Sequence, residues 1–365
     1  MRINQLDLRN YRNYVNLILN FTHNINIFLG PNAQGKTNIL EAVYYGAMGR
    51  SHRTNTDADL VRWHQEAGSI TIRFTRLDIE NNLNVKFIQH QNKQITYNSH
   101  QIKPRELIGA LNVVLFSPED LFLIKGAPVG RRRFLDTEIS QANPSYYRQL
   151  LQYNRIIMQR NTLLKKIREK KAKADLLDSW DGQLAVLAAH LVAKRREAIK
   201  KLAMLSNLMH RRITENKESL LLSYETNGIE LEAGRNMAES YQQQLVNMRN
   251  IDIMRGSTGI GPHRDDIVLT VNGINLRTFG SQGQQRTGVL ALKLAELEYI
   301  KSETGEYPVL LLDDVMSELD ENRREQLLSF IKDKVQTFIT ATDDKFFPDW
   351  KPGKYYWVNA GNITE

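Results

Sequence analysis

The sequence predicts an α/β fold: one α/β domain built from both ends of the chain, with a mostly helical domain inserted between them. Three observations lead to this prediction. A glycine-rich segment behind a short apolar run begins at Gly30, and strand and helix patterns return around residues 309–341. Two long helical patterns separate these parts of the chain. We therefore expect the α/β domain over residues 1–117 and 250–365, and the inserted domain over residues 118–249.

Strands are expected throughout the first part of the chain, because apolar residues alternate with polar ones or form short runs there. A turn at Gln91 and Asn92 should join the last two strands into a hairpin, and a helix is expected over residues 38–48. The expected strands cover residues 2–8, 17–20, 24–29, 69–79, 83–89 and 94–98.

The inserted part contains two long helical patterns. Pro144 opens the first, and the second covers about residues 184–216. Apolar residues such as Leu184, Leu187 and Leu191 recur at spacings of three and four, as on one face of a helix. Because only a short break separates the two patterns, we expect an antiparallel helical arm whose apolar stripes are packing surfaces.

Basic residues are concentrated in this inserted part. The chain has a net charge of +8, and residues 145–217 contain 17 lysines and arginines against 6 aspartates and glutamates. A basic segment on an otherwise balanced chain suggests a polyanionic partner, nucleic acid before membrane. The alternative is a solvated helical face without a partner.

Strand and helix patterns alternate again in the last part of the chain. Asn272-Gly273 is a strong signal for a two-residue hairpin turn, here between strands expected at residues 267–271 and 275–278. The remaining expected elements are a buried strand at residues 309–312, a helix at 321–332 and a strand at 337–341.

The composition excludes several classes of protein. Cysteine is absent, which rules out disulfides, thiolate metal sites and cysteine nucleophiles and makes a cytoplasmic location the default expectation. The segment MRINQLDLRNYRNY carries charges where a signal peptide needs an apolar core. No apolar run approaches the roughly 20 residues that span a bilayer, so we expect no association with membranes.

The glycine-rich segment fits the phosphate-loop pattern G-x-x-x-x-G-K-S/T without a mismatch. Its glycines let successive backbone N–H groups point at a phosphate, and the following helix adds the positive end of its dipole. Lys36 supplies a charge for the β- and γ-phosphates, and the Thr37 hydroxyl is placed to bind Mg²⁺. The strand before the motif and the helix after it argue against a chance match. The motif comprises Gly30, Pro31, Asn32, Ala33, Gln34, Gly35, Lys36 and Thr37.

Two carboxylates follow the strand expected at residues 309–312. This strand would deliver Asp313 to its C-terminal end, where a carboxylate suits a Mg²⁺ ion held beside the phosphates. Asp314, the next residue, could polarise an attacking water as a general base. The alternative is an acidic turn after a core strand, and the intact phosphate loop in the same chain argues against it.

A second helix start lies in the segment FGSQGQQRTGVLALKLAELEYI, residues 279–300. The small polar turn around Ser281 opens a strongly helical run and offers a hydroxyl and exposed amides to a phosphate. One domain would rarely place two such helix starts at a single γ-phosphate, so we expect this one to serve a neighbouring copy of the chain. A simple N-cap at Ser281 is the alternative.

Four motifs taken together resemble those of ABC-type ATPases. The phosphate loop, S-Q-G-Q-Q, four apolar residues with Asp-Asp, and S-E-L-D resemble their phosphate loop, signature, Walker B element and D-loop. Within that superfamily the chain resembles the RecF family of bacterial DNA replication and repair proteins over essentially its full length. The stretches similar to this family are PEDLFLIKGAPVGRRRFLD (118–136), TGIGPHRDD (258–266) and LLDDVMSELDENRREQL (311–327).

The resemblance implies an ABC-type P-loop ATPase domain with ATP and Mg²⁺ as cofactors. Arg12 and Asn13 resemble a position that reaches the nucleotide in related ATPases, with a plain surface turn as the alternative. The other implied cis contacts to the nucleotide are the phosphate loop and Asn38. The implied catalytic residues are Lys36, Asp313 and Asp314, and the implied Mg²⁺ ligands are Thr37 and Asp313. The implied trans signature is Ser281, Gln282, Gly283 and Gln284, and the implied D-loop is Ser317, Glu318, Leu319 and Asp320.

Two departures from the wider ABC pattern favour a slow hydrolase. Thr342, followed by Asp343, occupies the position where many ABC ATPases carry a switch histidine. The second Walker B carboxylate, Asp314, is the shorter aspartate. No unambiguous Q-loop glutamine is present, and residues 117–120 are the nearest equivalent.

Two further polar clusters resemble the family without a clear role. The arginines at 131–133 could bind a phosphate backbone or fix a domain junction, and we favour the junction. His263 could be catalytic or could belong to a structural loop near the nucleotide.

The resemblance implies an ATP-dependent homodimer that clamps DNA. The closed dimer would grip duplex DNA, gapped or at a junction with a single strand, through its backbone and without reading sequence. Slow, DNA-stimulated hydrolysis would release the DNA. RecO and RecR would be partners in loading the RecA recombinase during recombinational repair and replication-fork maintenance.

Three alternatives belong to other functional classes. An ATP-binding subunit of a membrane transporter shares the ATPase elements but has a compact helical insert, whereas Gly30 and Ser281 are about 250 residues apart here. A small-molecule phosphotransferase would not need a signature that serves a neighbour. A DNA-binding protein with a relic ATP site is disfavoured by the intact Lys36, Thr37 and Asp313.

Overall fold

Most strands lie in the two end parts of the chain, and the two longest helices lie in its middle. It is a computed structural model that describes residues 1–227, 236–348 and 352–364. Its strands are β1 (Arg2–Tyr11), β2 (Tyr14–Asn20), β3 (Ile25–Leu29), β4 (Ala67–Arg76), β5 (Ile79–Ile88), β6 (Gln94–Tyr97), β7 (His100–Ile102), β8 (Val113–Phe116), β9 (Leu220–Glu225), β10 (Asp266–Val271), β11 (Ile274–Asn275), β12 (Val309–Asp313), β13 (Thr337–Ala341), β14 (Lys354–Asn359) and β15 (Asn362–Thr364). Its helices are α1 (Lys36–Met48), α2 (Pro104–Leu107), α3 (Phe122–Lys125), α4 (Pro128–Ala142), α5 (Pro144–Arg168), α6 (Leu177–Ile213), α7 (Met237–Asn247), α8 (Arg249–Arg255), α9 (Leu276–Phe279), α10 (Gln282–Thr304) and α11 (Glu321–Ile331).

The chain divides into two units. The first unit contains Met1–Asp120 and Leu290–Glu365, and the inserted unit contains Leu121–Val289. The predicted start of the insertion at residue 118 lies close to this division, whereas the predicted return at residue 250 differs from it. The difference arises because β10 pairs antiparallel with β9, which keeps the segment after residue 250 with the inserted unit.

A parallel sheet built from apolar runs forms the core of the first unit. Its order is β15-β14-β3-β13-β12-β8, and every neighbouring pair from β14 to β8 is parallel. All residues of β3, β12 and β13 are buried, as expected for central strands covered on both faces. The carboxyl ends of these strands therefore meet at one edge of the sheet, although β3 and β12 are far apart in sequence.

The second sheet of the first unit is antiparallel, with the order β2-β1-β4-β5-β6-β7. The predicted hairpin of β5 and β6 is confirmed. The strand predicted over residues 69–79 is wrong at its end, because the chain reverses at Leu77 and Asp78 between β4 and β5. Both residues have positive φ, 46° and 60°, as the turn of a two-residue hairpin requires. Since neither is a glycine, the sequence carried no strong turn signal there.

The predicted helical arm is confirmed as α5 and α6, and α6 begins before the predicted residue 184. The two helices run antiparallel: Arg160 donates to Asp181 at 2.6 Å (Nε to Oδ1), and Arg195 donates to the Tyr146 hydroxyl at 3.1 Å. The apolar stripe of α6 is buried, as packing requires. Within the described residues, no helix has the length and apolar character needed to cross a membrane.

The strand predicted at residues 275–278 is wrong, because the chain turns into α9 there. The side chain of Asn275 accepts hydrogen bonds from the backbone N–H groups of Arg277, at 2.9 Å, and Thr278, at 3.4 Å. Asn275 therefore acts as an N-cap, which favours a helix over continued strand pairing. The hairpin turn at Asn272-Gly273 is confirmed, with β11 reduced to two residues.

A buried ion cluster holds the helices of the inserted unit together. Arg160 is fully buried on α5 and donates from Nη1 to Asp252 Oδ2, at 2.7 Å, and to Thr258 Oγ1, at 2.9 Å. Its Nε bonds Asp181 of α6, whose other oxygen accepts from Arg249 Nε at 2.8 Å. Each charge in this cluster depends on its partners, because a buried ion left unpaired is costly.

Asp252→Ala is expected to lower the free energy of unfolding by about 3 kcal/mol, because it leaves part of the buried charge of Arg160 without its partner. Urea unfolding followed by circular dichroism measures the change. The matched control is Glu169→Ala, which removes an exposed carboxylate paired with Lys171 and should cost about 1 kcal/mol or less. Equal effects of the two variants would contradict the prediction.

Candidate nucleotide-binding site

The candidate site lies at the edge of the parallel sheet where the strands end. Gly30 directly follows β3, Asp313 ends β12, and Thr342 directly follows β13. Because β3 pairs with β13 and β13 with β12, these residues lie on neighbouring strands. In open parallel sheets, ligands bind outside the carboxyl ends of the strands, so the fold brings the predicted site residues to the expected edge.

The backbone of the phosphate loop requires glycine at two positions. Gly30 has φ 148° and Gly35 has φ 116°, and Ala33 between them also has a positive φ of 65°. A Cβ atom on Gly30 would collide with the carbonyl oxygen of Val358 on β14. These conformations curl the loop, which is how successive N–H groups come to face one anion.

Lys36 is buried at the start of α1 and folds back over its own loop. Its Nζ donates to the carbonyl oxygens of Gly30, at 2.6 Å, and Pro31, at 2.7 Å. An ammonium has three donors, so two bonds fix its position and a third can point at a ligand. Burial lowers the pKa of Lys36, while the carboxylates of Asp314 and Asp313 oppose this shift.

Thr37 and Asp313 are in direct contact although 276 residues separate them. The Thr37 hydroxyl donates to Asp313 Oδ1 at 2.8 Å, and the Thr340 hydroxyl donates to the same oxygen at 2.7 Å. A hydroxyl and a carboxylate oxygen are the hard ligands that Mg²⁺ prefers. The pair predicted to hold Mg²⁺ is thus brought together and oriented by Thr340, which the sequence did not single out.

Asp314 has an unusual backbone and a partly unsatisfied side chain. Its φ of 53° places it in the left-handed region, and its N–H donates to Thr340 Oγ1 at 2.9 Å. Its Oδ1 is buried and has no hydrogen-bond partner among the described residues. Burial and the charge of Asp313 raise the pKa of Asp314, while Lys36 opposes the shift. A buried, unpaired carboxylate oxygen beside the loop fits a group that receives a ligand or a water.

Asn13 contacts the phosphate loop, and its predicted contact with the nucleotide stays a prediction. Its Nδ2 donates to the carbonyl oxygen of Gln34 at 3.0 Å, and its Oδ1 accepts from Asn38 Nδ2 at 2.8 Å. Asn38 in turn accepts from Arg53 Nη1 at 2.9 Å. The β1–β2 turn therefore braces the loop and the first turn of α1.

Arg12 is engaged by a carboxylate that the sequence analysis missed. Glu41, fully buried on α1, accepts from Arg12 Nη2 at 2.7 Å, Arg12 Nε at 2.9 Å and Ser51 Oγ at 2.5 Å. Burial alone would raise the pKa of Glu41, but the Arg12 and Ser51 hydrogen bonds and the charges of Arg12 and Arg53 lower it. A contact between Arg12 and a nucleotide stays a prediction.

The phosphate loop is also held by a contact with the C-terminal part of the chain, which the sequence did not predict. Gln34 Oε1 accepts from the backbone N–H of Ala360 at 2.6 Å, and its carbonyl oxygen accepts from the N–H of Gly361 at 3.2 Å. Ala360 and Gly361 form the turn between β14 and β15, and both have positive φ. The glycine of an Ala-Gly-Asn turn signals a hairpin, but its partner more than 300 residues away has no local signal.

The predicted signature residues lie in the inserted unit, at the start of α10. Ser281 Oγ accepts from the Gln284 N–H at 3.2 Å, and Gln284 Oε1 accepts from the Ser281 N–H at 3.0 Å. This reciprocal pair is a capping box, so the N-cap alternative for Ser281 is correct as local structure. The cap uses the hydroxyl as an acceptor, which leaves its proton for another group. Gln282 and Gly283 form the exposed or half-buried first turn of α10.

The predicted D-loop residues follow Asp314 in the first unit. Ser317 donates to the Asp314 carbonyl oxygen at 2.8 Å, and Glu318 continues the turn with its N–H bonded to Val315. Leu319 is buried, whereas Asp320 is exposed and caps α11 by accepting from Arg323 N at 2.9 Å. The segment is thus anchored at both ends.

Arg131 and His263, for which two roles were considered, both contact other residues of the inserted unit. Arg131 makes two bonds of 2.8 Å to the Asp266 carboxylate, which joins α4 to the start of β10. His263 Nδ1 lies 2.6 Å from the Tyr153 hydroxyl. Burial lowers the pKa of His263 to about 4, so the ring is neutral near pH 7. These contacts give both side chains structural partners within the inserted unit, and a role of Arg131 at the domain junction stays a prediction.

Comparison with known proteins defines the class. The chain matches the family described as RecF/RecN/SMC N terminal domain over residues 2–354. Together with a phosphate loop at the edge of a parallel sheet and an acidic strand end beside it, this match defines an α/β ATPase fold of the ABC and SMC type.

Within this class, the chain belongs to the RecF family of DNA replication and repair proteins. It is 46% identical over 347 residues to RecF of Halothermothrix orenii, covering 94% of this chain and 92% of that protein. It is 45% identical over 369 residues to RecF of Alkaliphilus oremlandii, covering 100% of both. A solved structure of the recombination mediator protein RecF-ATP in the RecFOR pathway superposes with a TM-score of 0.91 at 36% identity, covering 100% of this chain and 97% of that one.

Glu41→Gln is expected to destabilise the protein by about 2 kcal/mol near pH 7, because Arg12 loses a charged partner. The difference in free energy of unfolding between Glu41→Gln and the wild type should become smaller as the pH falls. A carboxylate whose pKa is lowered by folding contributes stability above its unfolded value, near 4.5, and loses it on protonation in the folded state. Urea unfolding at several pH values between about 7 and 3 measures this difference.

The control is Glu66→Gln, an exposed carboxylate outside the cluster, which should have little effect at any pH. A Glu41→Gln difference that stays constant across the pH range would show that the charge of Glu41 does not stabilise the fold.

Proposed function

We propose that this protein is an ATP-binding switch that clamps DNA as a homodimer and releases it on slow hydrolysis. The observation that carries the nucleotide-binding part of the proposal is the Thr37–Asp313 hydrogen bond of 2.8 Å, which joins the phosphate loop to the acidic strand end. Such a pair is needed where a triphosphate and its metal are held together. Membership of the RecF family supports the same activity.

The phosphate loop would hold the triphosphate in cis. Backbone N–H groups from Gly30 to Thr37 and the third donor of Lys36 would bind the phosphates, and Asn38 begins the helix behind them. Thr37 and Asp313 would hold Mg²⁺, which when bound neutralises charge on the phosphates. Asn13 would act by bracing the loop, and Arg12 would reach the nucleotide only by rearranging its bonds to Glu41.

Hydrolysis would depend on Asp314. Its buried, unpaired Oδ1 is suited to accept a proton from a water, and its raised pKa makes it a stronger base than an exposed aspartate. An aspartate reaches less far than a glutamate, and Thr342 replaces the histidine of many ABC ATPases. Both features favour a weak ATPase, stimulated by DNA, that acts as a timer.

The signature would act on the nucleotide of a second copy. The Ser281 hydroxyl retains its proton for a donor bond, and the 23-residue helix α10 directs the positive end of its dipole at the same point. The D-loop, Ser317 to Asp320, is anchored to Asp314 and would couple the two sites. Head-to-tail pairing would then close the dimer only while the γ-phosphate is present.

DNA would bind through its backbone, without sequence preference. The basic segment at residues 145–217 supplies the charge, and phosphate contacts of this kind position a protein without reading bases. The relationship to a recombination mediator of the RecFOR pathway supports RecO and RecR as partners and RecA loading at gaps as the outcome. We propose a cytoplasmic location because the proposed binding partner is DNA.

The transporter alternative is not supported. Its ATPase elements are shared, but identity near 45% over the full chain ties the protein to RecF proteins.

ATP should tighten binding of labelled duplex DNA by about 5- to 150-fold, the usual range of coupling between two sites. A non-hydrolysable analogue should hold the DNA longest. Lys36→Met should remove the effect because nucleotide is lost, and Ser281→Arg should remove it because the dimer cannot close. Fluorescence anisotropy with no nucleotide, ATP or the analogue measures this.

Lys103→Met, which removes an exposed lysine outside the site, is the control and should respond to ATP like the wild type. DNA binding that ignores nucleotide in every protein would refute the clamp. A response that survives in Ser281→Arg would refute the trans signature alone.

A further inference from the structure

The signature residue Gln284 is held from both ends of its side-chain amide. Its Oε1 accepts from the Ser281 N–H at 3.0 Å, which closes the capping box. Its Nε2 donates to Glu218 Oε1 at 2.8 Å. Glu218 lies outside α10, in the segment between α6 and β9, so the cap of the signature helix has a partner in another part of the inserted unit.

A carboxylate at this position fixes which way the amide points. An ionised carboxylate only accepts hydrogen bonds, whereas a side-chain amide has one accepting and one donating end. Glu218 therefore selects the orientation in which the NH₂ group of Gln284 faces Glu218. The carbonyl oxygen must then face the Ser281 N–H, as observed. Without this contact the amide could rotate, and the capping box would lose one of its two bonds.

The backbone around Glu218 is itself anchored. Its N–H donates to Thr214 Oγ1 at 3.4 Å, just beyond the end of α6. The next residue, Ser219, exchanges bonds of 3.0 Å with Asn272, its N–H to Oδ1 and the Asn272 N–H to its carbonyl. The Leu220 N–H donates to Asn207 Oδ1 of α6 at 3.1 Å. Glu218 is thus held in place by the arm helix and by the hairpin that precedes the signature.

The surroundings favour a hydrogen-bonding role over a charge effect. The other oxygen of Glu218 lies 3.8 Å from Nε2 of His210, which is fully buried on α6. Burial lowers the pKa of His210, so this ring is neutral near pH 7 and forms no ion pair there. A negative charge near a helix start would also oppose an incoming phosphate. The benefit of Glu218 must then come from fixing Gln284.

We infer that Glu218 is a positioning residue for the signature. It orients Gln284, keeps the capping box closed, and so directs the Ser281 hydroxyl and the first turn of α10 at the phosphate of a second copy. The same contact links the signature to the end of the arm helix α6. This inference rests on the proposed trans action of the signature.

The test compares ATP-dependent self-association of the full chain, by sedimentation velocity, for wild type, Glu218→Ala and Glu218→Gln. Glu218→Ala should weaken association by about 3- to 10-fold, the effect of losing one hydrogen bond. Glu218→Gln should recover only part of it, because its amide oxygen can accept from Gln284 but its NH₂ group can equally face Gln284. Binding of a fluorescent ATP analogue in cis, at protein concentrations too low for association, should be unchanged.

Two controls separate this inference from the proposed function. Glu215→Ala removes an exposed carboxylate three residues away and should associate like the wild type. Ser281→Arg should abolish association altogether, and if it does not, the proposed trans signature fails. If Ser281→Arg fails to associate while Glu218→Ala matches the control, only the inference about Glu218 is overturned. It is also overturned if Glu218→Gln is as defective as Glu218→Ala. A joint loss of cis binding and of thermal stability would assign Glu218 a merely structural role.

Discussion

The convergence of parallel strand ends is the constraint on which the site depends. β3 delivers the phosphate loop and β12 delivers Asp313 to the same edge, where the Thr37–Asp313 bond closes the gap. β3 and β12 are far apart in sequence, so no local turn connects them. Between β3 and β12 the chain leaves this sheet, returns to it at β8, and leaves it again before β12. The inserted unit begins at Leu121, shortly after β8, which runs parallel to β12 in the same sheet.

Much of the fold could be predicted because its signals are local. Apolar runs identified β3, β12 and β13, and the phosphate loop, with its two glycines at positive φ, identified the site. The secondary-structure predictions failed where a local sequence pattern is compatible with two different structures. Leu77-Asp78 turns the chain without glycine, and Asn275 caps a helix inside an apparent strand. Glu41 and Gly361 were missed because their partners lie far away in sequence, and only the folded chain reveals such pairs.

The basic composition of the arm overstates the charge available to a polyanion. Arg160 and Arg195 are buried, and each bonds to carboxylates of its own unit. These partners neutralise the two charges. Breaking the ion pairs would cost more free energy than a contact with a phosphate would provide. A count of basic residues in the sequence cannot distinguish these buried arginines from exposed ones, because burial depends on how the helices pack. If the arm binds DNA as proposed, the contacts must come from its remaining lysines and arginines.

The separation of Thr37 from Asp313 also has a consequence for synthesis. At ~5–20 residues per second, a ribosome needs roughly 15–55 s to pass from one to the other. During that time β3, buried along its full length in the finished sheet, has neither β13 nor β14 beside it. The nascent chain therefore exposes an apolar strand with two open edges for most of its translation. Chaperones would be expected to engage this segment before any nucleotide can.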